Sequence, residues 1–191
     1  MRQPSLFSVQ ARAASPDDLA GLLCAPGQVH SFGRGTAARV AAVVAEQWRA
    51  AEIARVCTAL ALPAAQGRTG DRYWVRTAFV ASLLPLAIEW TRGAIKAVPP
   101  GWQLDGASLR LWVLAAGAPD GRGYLLGLDP HAPGTHGRLG AALAVAGLAA
   151  TLLGPRAGGP ALRVSGRRRL ARLAELVGEP PPATSTELWP T

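Results

Sequence analysis

The chain has 191 residues, of which 49% are apolar and 17% charged, and it carries a formal net charge of +8. That much apolar material buries one ordinary domain, or two small halves sharing a core, and excludes a disordered chain. Two cysteines, Cys24 and Cys57, exclude both a disulfide scaffold and a four-cysteine zinc ribbon, and read as small buried hydrophobes.

No apolar run accompanies Arg2 and Arg12 near the start, so a cytoplasmic location is expected rather than a secreted one. The longest uncharged stretch, Leu139 to Gly154, is too short for a bilayer, which needs about twenty apolar residues; it reads as a buried helix. All the basic residues except Lys96 are arginines. They spread evenly, with nine basic and four acidic residues in 19–100 and nine and five in 101–180. A polyanion-binding body distributes its charge in this way; a globule with a basic arm does not.

In chain order, residues 1–16 form an irregular, flexible N-terminus. Ser15 or Asp17 caps a short helix through LAGLLCA that Pro26 and Gly27 end. QVHSF, a Gly33-Arg34-Gly35 turn and ARVAAVV form a hairpin, and EQWRAAEIARVCTALAL follows as an amphipathic helix. RYWVRTAF is a strand and SLLPLAIEWTRG a helix. The order then recurs. SLRLWVLAAG is a helix, Pro119-Asp120-Gly121 a turn and GYLLGLD a strand. HGRLGAALAVAGLAATLLG is a helix, PALRVSG a strand and RRRLARLAELVG a helix, with Pro180 as a stop. Residues 181–191, rich in Pro and Thr, read as a flexible tail.

Gly27 answers Gly117, Arg76 answers Arg163, and Pro99 answers Pro180. The expected fold class is therefore α+β: two pseudo-symmetric αββαββα repeats, 17–100 and 101–180, with antiparallel sheets. The fourth strand of each repeat cannot be placed. One-sided sheets of this size must pack together, and Ala20, Gly21, Ala115 and Ala116 make the first helices the natural seam. A chain with its own pseudo-twofold is expected to be a monomer.

Leu19-Ala20-Gly21-Leu22-Leu23-Cys24-Ala25-Pro26-Gly27 resembles the LAGLIDADG motif of homing endonucleases, and Gly93-Ala94-Ile95-Lys96-Ala97-Val98-Pro99 is similar to the G-x-K-x-I-P spacer between that family's repeats. The resemblance spans about residues 17–180 and implies double-stranded DNA as partner. The departures matter more. The family's metal-binding acid is Pro26 in the first copy and Ala116 in the second, and neither can hold the ions of metal-assisted phosphodiester cleavage. A shifted register would bring in Asp120, but only by running Gly117 and Pro119 through the helix. The pattern is closer to the catalytically degenerate LAGLIDADG domain of WhiA-type sporulation regulators. Those proteins also carry a helix-turn-helix, which residues 181–191 do not contain, so promoter recognition of that kind is not expected. The expectation is a non-catalytic, regulatory DNA-binding protein without cofactor or metal. The alternatives are an active homing endonuclease and a protein-interaction module with a basic face.

Gln28, His30 and Arg39 lie on the hairpin that the resemblance assigns to the major groove, with Arg34 at its tip. Arg72 and Arg76 share one strand face with Trp74, and Arg163 is the second repeat's counterpart of Arg76. Arg167, Arg168 and Arg169 open a helix that Ser165 is expected to cap; cations there oppose the helix dipole unless a phosphate compensates. Asp129, His131 and His136 sit in a Pro/Gly loop without metal-site spacing.

Overall fold

The computed structural model describes residues 13–154, 158–182, 184 and 186–191. Residues 1–12, most of the expected flexible N-terminus, lie outside them.

Ser15 closes a capping box with Asp18 over a short 3-10 turn, Pro16–Leu19, that runs into helix α1, Ala20–Cys24. Strands β1 (Gln28–Phe32) and β2 (Ala37–Val44) form the first hairpin. Helix α2 (Gln47–Ala59) leads to the hairpin of β3 (Ala64–Thr69) and β4 (Arg72–Thr77), and helix α3 (Leu84–Trp90) closes the unit. A two-stranded ribbon, β5 (Thr91–Arg92) and β6 (Ile95–Lys96), separates the repeats. The second unit is α4 (Gly106–Ala116), β7 (Gly117–Asp120), β8 (Gly123–Gly127), α5 (His136–Val145), β9 (Ala150–Leu153), β10 (Ala161–Val164) and α6 (Arg167–Val177).

The two sheets have the orders β1-β2-β4-β3 and β7-β8-β10-β9, and every pairing within them is antiparallel. The αββαββα order is present twice. Alternation sets the faces: Ala38, Val40, Ala42 and Val44 of β2 point into the core, as do Tyr124 and Leu126 of β8 and Leu162 and Val164 of β10.

Helices α1 and α4 form the seam. A Cβ on Gly21 would lie 1.9 Å from the Ser108 carbonyl oxygen and 2.8 Å from the Leu111 Cβ, so only glycine permits this approach. Gly21 thus meets Ser108 and Leu111 rather than the small pair Ala115 and Ala116. One apolar cluster, including Leu22, Leu23, Trp90, Leu109, Trp112 and Leu126, spans both units.

Four local expectations are corrected. The apolar run expected to be one helix across 136–154 ends at Val145, and 150–153 is β9, the fourth strand of its sheet. Gly147, at φ 81°, breaks the helix where its Ala/Gly-rich sequence lacks a continuous buried stripe. The turn expected at Pro119-Asp120-Gly121 falls at 121–122, and Pro119 and Asp120 belong instead to edge strand β7, where an edge needs no ladder donor from Pro119. Ser165 does not cap α6; Gly166, at φ 92°, holds that place without a side-chain bond. The end of the tail, residues 186–191, is docked, not free. Trp189 is buried, its Nε1 donates to the Gly178 carbonyl at 2.8 Å, Arg110 stacks on its ring, and the Tyr124 hydroxyl donates to the Leu188 carbonyl at 2.8 Å. Among the described residues no helix is long and apolar enough to cross a membrane.

Candidate nucleic-acid interface and the ends of the motif helices

The outward face of the first sheet carries Gln28, His30 and Phe32 from β1, Arg39 and Val43 from β2, and Arg72, Trp74 and Arg76 from β4. His30 and Arg39 are cross-strand partners, and Arg76 pairs with Ala41 on the next strand. These outward positions hold no carboxylate. Arg39 lies over the Phe79 ring at 4.6 Å and Arg76 over the Trp74 ring at 4.7 Å, and both line one open groove of about 390 Å³ with Phe79 and Ala65. Arg34 is exposed at the hairpin tip. This half of the expected site assembles.

Gln28 is the exception on that sheet. Its Nε2 donates to Asp129 Oδ2 at 2.7 Å, so its amide is committed to the protein. The second sheet differs in kind. Its outward face presents Ala118, Leu125, Ala161, Thr151 and Leu153 around Arg163, whose Nε lies 2.6 Å from Asp120 Oδ2. Arg76 and Arg163 do share a place in the repeat, but the second arginine is neutralised by its neighbour. Arg167, Arg168 and Arg169 are exposed on the first turn of α6, apart from the groove of the first sheet; Arg169 reaches the Ser165 carbonyl at 3.2 Å.

The ends of the two motif helices are built alike. At the end of α1, the Lys96 ammonium donates to the carbonyls of Leu23 at 3.2 Å and Ala25 at 2.9 Å, and lies 2.7 Å from Asp129 Oδ2. At the end of α4, the Arg49 guanidinium donates to the carbonyls of Val113 at 2.8 Å, Leu114 at 2.9 Å and Gly117 at 2.7 Å, and pairs with Glu46. Glu46 and Asp129 each stand two residues past their strand, β2 and β8. A cation at a helix C-terminus satisfies orphan carbonyls and complements the dipole. Arg110 does the same for α6, donating to Val177 and Glu179 carbonyls at 2.6 Å each.

Burial holds the Lys96 ammonium below its ordinary pKa, partly offset by Asp129. Burial alone would raise the Asp129 carboxyl, but hydrogen bonds from Lys96, the His131 backbone and Gln28 outweigh it and hold the group below the usual carboxylate range. The loop expected around Asp129 is therefore partly interior. His136 is buried with its Nε2 2.8 Å from the Asp129 carbonyl oxygen, while His131 is exposed. Cys24 and Cys57 are buried free thiols, and burial pushes Cys57 up to about 11.

Composition could not single out Arg49, Glu46 or Asp129. Lys96 carries two signals, as a lone lysine among nineteen arginines and as the lysine of the spacer between the repeats.

The donor set at the helix ends does not fit a divalent metal. Pro26 and Ala116 offer no side-chain ligand, the carboxylates of Asp129 and Glu46 are paired with Lys96 and Arg49, and those cations occupy the carbonyls. Asp120, the acid of the shifted register, closes β7 and faces Arg163 instead. Among the described residues no three His, Cys, Asp or Glu side chains gather as a metal site would require.

No family model and no curated protein matches the chain. Solved structures do. The homing endonuclease I-WcaI, bound to its DNA recognition sequence, superimposes with a TM-score of 0.64 over 90% of this chain and 84% of that one, at 14% identity. Full-length DUF199/WhiA from Thermatoga maritima gives 0.59 over 85% of this chain, at 14% identity, and this chain spans 54% of that protein. The N-terminal LAGLIDADG domain of DUF199/WhiA gives 0.58, at 14% identity, over 88% and 82%. With two αββαββα units joined at α1 and α4, the chain has the LAGLIDADG-type fold.

Proposed function

We propose that this protein binds double-stranded DNA without cutting it, in a regulatory role, and that the outward face of its first sheet makes the main contact. The observation that carries the reading is the contrast between two places. The face of β1, β2 and β4 has Arg39, Arg72 and Arg76 with no carboxylate among them, as phosphate contact requires. The helix ends, where the fold's endonucleases would need acids, carry Pro26 and Ala116 and are closed by Lys96 and Arg49. Arg34 and His30 extend the contact along the hairpin, and Arg167, Arg168 and Arg169 offer a separate phosphate site. The DNA complex of the structurally similar I-WcaI supports the choice of partner.

A mobility-shift titration of a duplex at two salt concentrations tests binding. Affinity that falls steeply with salt is the expected result; indifference to DNA at low salt overturns the reading. Incubation of supercoiled plasmid with Mg²⁺ or Mn²⁺ tests the other half. Metal-dependent nicking by the pure protein, lost in Asp120→Ala, would restore the endonuclease.

A further inference from the structure

The first sheet holds more than phosphate contacts require. Phe32 and Phe79 lie side by side with ring centroids 5.1 Å apart and planes at 39°, yet Phe32 is 64% exposed and Phe79 38%. Two neighbouring phenyl rings left this exposed on a basic face form an apolar patch of the kind that marks a binding surface. Arg39 covers one face of Phe79, and its buried Nε has no hydrogen-bond partner among the described residues. On the same face the Trp74 ring covers Gly67 of the neighbouring strand. A Cβ on Gly67 would come within 2.6 Å of Trp74 Cζ2, and Arg76 sits over the same ring. The groove among Arg39, Arg76 and Phe79 is open and about 390 Å³.

The fold does not demand this arrangement. Counting from Arg163 as from Arg76, the places of Trp74 and Phe79 are taken in the second repeat by Ala161 and Gly166. The aromatic and cationic cradle belongs to one repeat alone.

We infer that this cradle receives an unstacked nucleobase together with its phosphate, so that the protein prefers DNA with an unpaired nucleotide beside the duplex. A paired, stacked base offers its edges and backbone to a protein; only an unpaired base offers a ring face to Phe32 and Phe79. The two arginines supply the charge that its phosphate needs. This rests on the duplex-binding reading above but is separable from it.

The test is fluorescence anisotropy of the full chain with three labelled probes: a blunt duplex, the duplex with a short single-stranded overhang, and the duplex with an abasic overhang of equal length. The abasic probe has the added phosphates without the rings. The expected result is roughly tenfold tighter binding of the overhang than of its abasic counterpart. Phe32→Leu/Phe79→Leu, which keeps apolar volume and removes the rings, should abolish that ratio; both rings lie on the duplex-binding face, so the ratio of the two overhangs and not the absolute affinity is the readout. Near-ultraviolet circular dichroism and melting verify the fold of the variant. Equal binding of the two overhangs, or a ratio that survives in the variant, overturns the cradle while the duplex reading stands. Binding of the base overhang without the blunt duplex overturns the duplex reading alone, and binding of no probe overturns both.

Discussion

Lys96 Nζ and Asp129 Oδ2 stand 2.7 Å apart with side chains only 5% and 3% exposed, and the pair ties the ribbon between the repeats to the loop after β8 at the end of α1. Removing one partner strands the other as a buried charge. Lys96→Met and Asp129→Leu should each cost about 3–5 kcal/mol. The double variant should recover about 2–3 kcal/mol relative to their sum. Urea unfolding of the four proteins measures the coupling, and simple additivity would show that the ions act independently.

The same pair sets an acid dependence. The folded Asp129 carboxyl is held below its ordinary range, so its stabilisation is present above the unfolded pKa of about 3.9 and is lost as the pH falls through the folded value. The difference in unfolding free energy between the natural protein and Asp129→Asn should be constant from about pH 7 to pH 5 and shrink below about pH 4. Melting curves across that range read it directly.

Arg49 caps α4 with three carbonyl contacts that no other side chain replaces in kind. Arg49→Ala should destabilise by about 3–5 kcal/mol. Arg49→Lys should recover only part of that, because an ammonium cannot present the guanidinium fork. Full rescue by lysine in urea unfolding would mean that charge alone is required.

Arg76 and Arg163 correspond in the repeat, but among the described residues only Arg163 of the two faces a carboxylate. Arg76→Ala should reduce the slope of log K against log salt by about 0.9, and Arg163→Ala by much less. Asp120→Asn should free Arg163 and steepen the slope. Titrations of one duplex at several salt concentrations decide it; equal slopes for both alanine variants would contradict the neutralisation.

Trp189 anchors the last residues between Gly178 and Arg110. Trp189→Ala should cost about 3 kcal/mol and lower Tm by roughly 6–12 °C. A Tm unchanged in thermal unfolding would return the tail to the flexible segment its composition suggests.

Local pattern alone determined the repeat order, the hairpin of Gln28–Phe32 with Ala37–Val44, and helices α2, α4 and α6. Those features depend on periodicity and on side-chain identity at counted positions, which a sequence displays. Tertiary structure decided the rest. Ala150–Leu153 is a strand because β10 offers it an edge, although its Ala/Leu composition suits a helix equally well. The segment 181–191 has no period, yet Trp189 finds a pocket and docks residues 186–191. Charge shows the division most clearly. The sequence counts cations but not their partners; folding takes Lys96, Arg49 and Arg110 to helix ends and Arg163 to Asp120, and leaves Arg39, Arg72 and Arg76 facing outward. Burial and pairing, which depend on residues distant along the chain, decide which charges hold the protein together and which remain to meet a partner.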